Sequence, residues 1–247
     1  MELGRFNTNS IYCEDSYKAI KDLPAHSVDC IYTDIPYLLK TTIGGGGKSA
    51  LDERILKKRK ELSDISNGID YDILNDFVRV LKKINCFIWC SKMQIYDILK
   101  FFNEIPNKTI NFEILTWNKT NPTPSTNNGW LPDIEYCLYF REKGIFLNED
   151  YFLKSKWYTS STNKIDKDYF AHPTIKPIEL VKRHLLHATH PNDIVADFFM
   201  GSGTTCVACK DIERQYIGFE IEPKWYKVAQ DRLAKTTANG QTSFLLI

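Results

Sequence analysis

Ile194-Val195-Ala196-Asp197-Phe198-Phe199-Met200-Gly201-Ser202-Gly203-Thr204-Thr205-Cys206-Val207-Ala208-Cys209-Lys210 is the stretch around which the rest of the chain organises. Its first four residues, apolar and β-branched up to an acid, predict a strand. Gly201 and Gly203 permit a tight turn and let a ligand approach the main chain. The small residues from Thr204 onward predict a helix packed on a sheet. Gln215-Tyr216-Ile217-Gly218-Phe219-Glu220 then predicts a second strand that ends in an acid. Open α/β sheets hold a ribose with this order of strand, glycine turn, helix, strand and an acid about 20 residues on. The turn lacks the third glycine of the dinucleotide fingerprint and runs straight into Thr204-Thr205. A smaller, adenosyl-type ligand is therefore expected. Asp197, Phe199, Gly201, Ser202, Gly203, Thr204 and Glu220 are its candidate contacts.

Far upstream, Val28-Asp29-Cys30-Ile31-Tyr32-Thr33 reads as a buried strand. It delivers Asp34-Ile35-Pro36-Tyr37 to a strand's carboxyl end, where such sheets place ligands. Pro36 has a fixed φ and no N–H, and Ile35 before it is pushed to extended backbone. The stiff turn aims the Asp34 carboxylate and the Ile35 carbonyl into one space. Both are acceptors, and an amine has two hydrogens to donate. Tyr37 offers a flat face on which a base can stack. An aromatic amine is a poor nucleophile because its lone pair is delocalised into the ring. Two acceptors gripping its hydrogens favour the pyramidal form and stabilise the charge that grows on nitrogen, which is electrostatic preorganisation. Asp34, Ile35, Pro36 and Tyr37 are thus the candidate catalytic set. Together the two motifs imply methyl transfer from S-adenosylmethionine to a nucleobase amine.

At this point the chain resembles the β group of DNA amino-methyltransferases. That family places an Asp-Pro-Pro-Tyr box before a Phe-x-Gly-x-Gly box, a circular permutation of the common methyltransferase order. The likeness includes Tyr12-Cys13-Glu14-Asp15, where the family has an acid near the cofactor adenine. It includes Trp117-Asn118-Lys119-Thr120-Asn121-Pro122-Thr123-Pro124-Ser125, which resembles the segment lining the target-base pocket. It is strongest from His172-Pro173-Thr174-Ile175-Lys176-Pro177 to Asp231-Arg232-Leu233. The resemblance implies one Rossmann-like α/β domain over 1–247, mostly parallel, with helices on both faces. It implies S-adenosylmethionine as cofactor, Asp15 near its adenine, and Thr174 or Lys176 near its methionine end. It implies duplex DNA as substrate with the target base flipped out, and leaves a homodimer and a cognate restriction enzyme open as partners. Asp rather than Ser at position 34 resembles the adenine-modifying members more than the cytosine-modifying ones. Ile35 departs from the family, which usually has proline there. The carbonyl survives that change, a fixed φ is lost and an N–H is gained.

Composition agrees with a soluble, cytoplasmic enzyme. Of 247 residues, 43% are hydrophobic and 26% charged, with a net charge of +1, and no apolar run is long enough for a membrane span. Seven cysteines without framework spacing suggest a reducing compartment. Cys206 and Cys209, inside the expected helix, read as core residues rather than metal ligands. His184 and His187 share a helix face without a completing ligand, so no metal is expected. Seven cations between Lys40 and Lys60, after Gly44–Gly47, read as a basic segment that contacts phosphates. Residues 141–171 lack clear periodicity and stand as a short target-recognition insert. Asp72 and Ser91 are expected to cap helices. A cytosine amino-methyltransferase, a methyltransferase acting on a non-DNA amine, or an inactive DNA-binding homologue remains as an alternative.

Overall fold

The computed structural model describes residues 1–38, 67–122, 130–162 and 175–236. A short hairpin, β1 (Glu2–Leu3) and β2 (Phe6–Asn7), leads into β3 (Ser10–Tyr12), α1 (Ser16–Asp22) and β4 (Cys30–Asp34). There follow α2 (Ile73–Val80), β5 (Asn85–Cys90), α3 (Ile95–Asn103), β6 (Ile110–Lys119) and β7 (Ile134–Glu142). A 3-10 turn (Tyr151–Leu153) and β8 (Trp157–Ser160) precede α4 (Ile178–Ala188) and β9 (Ile194–Asp197). The chain closes with α5 (Thr204–Asp211), β10 (Gln215–Phe219) and α6 (Pro223–Lys235).

Eight strands form one sheet in the order β3-β10-β9-β4-β5-β7-β6-β8. The run from β3 to β5 is parallel, and β7 lies antiparallel between β5 and β6. The central strands are buried on both faces, which is why they read as nearly continuous apolar runs. On one face Ile31, Ile88, Ala196 and Ile217 pack with Ile20, Phe77 and Phe102 of α1, α2 and α3. On the other, Cys30, Phe87, Val195 and Tyr216 pack with Leu185, Cys206 and Ala229 of α4, α5 and α6. Six of the seven cysteines are buried and free, packing as small hydrophobes; Cys13 is exposed.

The register decides what meets at the carboxyl edge. Asp34 pairs with Trp89 across β4 and β5, and Gly218 pairs with Asp197 across β10 and β9. Because β7 runs the other way, its first residues lie beside the last residues of β5, with Cys90 opposite Tyr136. Glu135 therefore arrives at the same edge as Asp34.

Several expectations need correction. Asp72 stands before α2 but its side chain makes no cap bond. Ser91 is not the cap of α3: the helix starts at Ile95, with Gln94 at the cap position. The serine hydroxyl is drawn instead to Gln94 and the Leu38 carbonyl. Within 141–171, Arg141 and Glu142 finish β7 and Trp157–Ser160 adds an edge strand to β6. That strand escaped notice because its residues alternate only between exposed and half-buried. The basic segment Lys40–Lys60, Thr123–Ser125 and His172–Thr174 lie outside the described residues.

Candidate active site

The glycine turn is built by its neighbours. Asp197, buried at the end of β9, accepts from Thr33 Oγ1 at 2.8 Å and from the Phe199 N–H at 3.1 Å. Burial pushes its carboxyl up to about 7, against the opposing hydrogen bonds from Thr205 and Thr33. Gly203 has φ +76°, and a Cβ there would come within 2.8 Å of Ala229 Cβ. Its glycine therefore lets α6 approach, and the residue itself does not line the cavity described below. Behind the turn, buried Arg232 donates from Nη1 to the Ser202 carbonyl (2.8 Å), Ser202 Oγ (2.9 Å) and Thr204 Oγ1 (2.9 Å). Glu220, one residue past β10, accepts from the Gly201 N–H at 2.9 Å and the Glu222 N–H at 2.8 Å. Burial raises its carboxyl above the usual range. Asp15 caps α1 by accepting from the Tyr17 N–H at 2.9 Å.

A cavity of about 500 Å³ joins this turn to the first motif. Asp15, Asp197, Phe199, Gly201, Ser202, Thr204 and Glu220 contribute to its wall. So do Asp34, Ile35, Pro36 and Tyr37, together with Trp89, Glu135 and Lys176. Of the residues singled out in the sequence, Gly203 stands behind the wall and Thr174 is outside the described residues.

At the first motif, the Ile35 N–H donates to the Trp89 carbonyl at 3.2 Å. A proline could not make that bond, so isoleucine exchanges a fixed φ for one more link to β5. Lys176 Nζ donates to Asp34 Oδ2 at 2.5 Å, to Glu135 Oε2 at 3.1 Å and to Tyr37 Oη at 3.4 Å. It also lies 4.7 Å from the centre of the Trp89 ring. Glu135 is paired in turn with Lys119 at 2.5 Å, giving an alternating row Asp34–Lys176–Glu135–Lys119. The other Asp34 oxygen, Oδ1, is buried and has no hydrogen-bond partner among the described residues.

The charges sort themselves within this row. Burial lowers Lys176, but Asp34 and Glu135 outweigh it and hold the ammonium well above its ordinary value. Burial pushes Glu135 up, yet Lys176 and Lys119 prevail and its carboxyl lies at about 2. For Asp34 burial prevails over the pull of Lys176, and the carboxyl is raised. The two members of the Asp34–Lys176 pair thus both move upward. One cation serves two acids, and Glu135 has Lys119 as a second partner.

Lys176 was expected beside the cofactor's methionine end; the structure brings its ammonium to the catalytic box. Glu135 and Trp89 are not among the residues that the sequence points to for this site, whereas Lys119 belongs to the segment resembling the lining of the target-base pocket. The available signal was an acid opening an otherwise apolar strand, Ile134–Phe140, opposite Trp117. Trp89 is fixed from below: its Nε1–H donates to Tyr32 Oη at 3.0 Å, and Tyr32 Oη lies 3.1 Å from His184 Nδ1. Burial lowers His184 to about 3, so the ring is neutral, and a single hydrogen bond joins its Nδ1 to the tyrosine hydroxyl.

A family model described as DNA methylase, covering amino-methyltransferases at N6 and N4, matches residues 28–231. The chain belongs to this DNA methylase family. Among curated relatives, the type II methyltransferase M2.LlaDCHI of Lactococcus lactis subsp. cremoris is 29% identical, over 92% of this chain and 89% of its own length. The type II methyltransferase M2.DpnII of Streptococcus pneumoniae is 28% identical, over 89% and 87%. Among solved structures, M1.HpyAVI in complex with SAM superposes with a TM-score of 0.68 at 28% identity, over 91% of this chain and 98% of that one. The cytosine-N4-specific PvuII DNA methyltransferase, at 17% identity and a TM-score of 0.68, shares the fold. The DNA methylase is thus an α/β enzyme with the doubly covered, mostly parallel sheet expected from the glycine-turn unit.

Proposed function

We propose that this DNA methylase transfers a methyl group from S-adenosylmethionine to the exocyclic amine of adenine in duplex DNA. The observation that carries the reading is Asp34 Oδ1, a buried acceptor without a partner among the described residues, in a residue that lines the cavity. Buried polar atoms are normally satisfied, and an incoming amine supplies the missing donor. The cavity wall fits the cofactor. Glu220 and Asp15 offer carboxylates for ribose hydroxyls and the adenine amine, and Phe199 offers a flat face. When bound, the cofactor supplies an electrophilic methyl on a sulfonium.

The protein's part is positioning. Lys176 fixes Asp34 through Oδ2, which leaves Oδ1 for one amine hydrogen. The Ile35 carbonyl takes the second. Tyr37, held by the Glu135–Lys176 pair, stacks on the base. The carboxylate beside the nitrogen stabilises the charge that develops during attack. A paired adenine is enclosed in its stack, so the base must swing out to reach a cavity of this depth. Adenine rather than cytosine is supported by Asp at position 34. Mass analysis of nucleosides from DNA treated with the enzyme should find N6-methyladenine; methylated cytosine alone would overturn the choice of base. The type II names of the relatives support a cognate restriction endonuclease as partner. No helix among the described residues is long and apolar enough to cross a membrane, and a cytoplasmic setting suits a DNA substrate.

Glu220 provides the direct test of the cofactor assignment. Glu220→Ala removes an acceptor from the wall without touching the αL backbone of Gly203. Cofactor affinity measured by calorimetry should fall by about 10–100-fold, the loss of a charge-assisted hydrogen bond. Unchanged affinity would place the ribose elsewhere.

A further inference from the structure

We infer that Gln94 is a positioning residue for methyl transfer: with Ser91, it locks the main chain of Pro36 and Leu38 so that the turn presents the Ile35 carbonyl and Asp34 to the amine. This rests on the assignment of Asp34–Tyr37 as the amine-binding turn. Gln94 is fully buried, and although it stands at the cap position of α3 its side chain makes no cap bond there. A buried amide costs free energy unless it is paired. Here every bond goes outside the helix. Nε2 donates to the Pro36 carbonyl at 3.0 Å. Oε1 accepts from the Leu38 N–H at 3.2 Å and the Ser91 N–H at 3.0 Å. Ser91 Oγ lies 2.8 Å from Oε1 and 3.2 Å from the Leu38 carbonyl, so its one hydrogen serves either acceptor. Two main-chain donors at one end and a carbonyl at the other define which way the amide points.

Two consequences follow for the chemistry. First, the turn's next main-chain acceptor, the Pro36 carbonyl, already accepts from Gln94 and is held toward it. Second, the chain lacks the first proline of its family's box, and with it a fixed φ at position 35. The Gln94 amide supplies restraint from the other side of the turn. The side chain of Asp34 is thus set by Lys176 and the backbone that follows it by Gln94.

The test compares Gln94→Met, Gln94→Glu and Ser91→Ala with the wild type. The glutamate keeps the acceptor oxygen and loses only the donor to Pro36. Methyl transfer to unmodified genomic DNA is followed in single turnover, per cofactor-binding site counted by calorimetry. Gln94→Met should be slower by about 10–100-fold, the scale of a misplacement near 1 Å. Gln94→Glu and Ser91→Ala should fall between it and the wild type. Cofactor affinity and the KM for DNA should stay within about twofold, because the bonds lost hold acceptors used only in transfer. Loss of fold alone would lower the number of binding sites and not the rate per site. Should the methionine variant fail to fold, the glutamate and alanine variants decide. Wild-type rates per site in both would overturn the inference. Asp34→Ala in the same assay separates the levels. If it is inactive while the Gln94 variants run normally, only this inference fails. If it too runs normally, the assignment of the turn fails with it.

Discussion

Asp34→Ala should slow methyl transfer by about 100–1000-fold, the usual loss when one preorganised donor or acceptor is removed from a developing charge. The enzyme should still bind cofactor with wild-type affinity. The reason is geometric. Asp34 has two oxygens with different duties: Oδ2 is engaged by Lys176, and Oδ1 has no partner among the described residues. Alanine removes the acceptor without disturbing Asp197, Glu220 or the Arg232 bonds that shape the glycine turn. The Lys176 cation keeps Glu135 as a partner, so the site does not acquire an orphaned charge. The expected signature is a collapse of the single-turnover rate with an unchanged calorimetric cofactor titration. Normal turnover would show that the amine binds elsewhere in the cavity.

Lys176→Met should act on stability as well as rate. Removing the cation leaves two carboxylates, Asp34 and Glu135, facing each other with, among the described residues, only Lys119 to offset them. Breaking a buried pair from one side typically costs about 3–5 kcal/mol. The pH dependence fixes the sign. In the wild type Glu135 lies at about 2 against an ordinary 4.5, so its stabilisation is fully present above about 4.5 and lost as pH falls through about 2. In the variant, burial is no longer opposed by Lys176, and the Asp34 carboxyl rises further. A raised carboxyl favours the folded state below its unfolded value, and that contribution is lost as pH rises through the folded one. The gap between wild type and variant should therefore widen from acid to alkaline pH. Urea unfolding at roughly pH 4.5, 6 and 8 measures it. A gap independent of pH would mean that Lys176 contributes packing alone.

The parts of this enzyme that could be read from the chain are those whose signal is local. Ile194–Asp197, the glycines and Glu220 follow one another within a single strand–helix–strand unit, so spacing was enough. Asp34–Tyr37 ends an apolar run, and a strand end is a local event too. Glu135 was hidden because its address depends on sheet order. Only the antiparallel insertion of β7 between β5 and β6 brings the beginning of that strand to the edge where β4 ends. The acids that Lys176 meets are hidden for the same reason: its segment precedes α4, and nothing in its sequence says which acid lies opposite. Ser91 was misread because a hydroxyl ahead of a helix has a local use. Here a tertiary partner, the turn at Pro36–Leu38, claims the residues on that side.

The sheet order also governs how the enzyme can come into being. Strand β4, which ends in Asp34, lies against β9, more than half the chain away, and β3 near the N-terminus lies against β10 near the C-terminus. During synthesis the catalytic strand leaves the ribosome long before the strand that will flank it on the cofactor side. Until Ile194–Asp197 emerges, one long edge of β4 has no partner, and the pairing that completes the site is of high contact order and intrinsically slow. Competence to methylate is therefore withheld from the nascent chain and acquired only after β9 and β10 have been made.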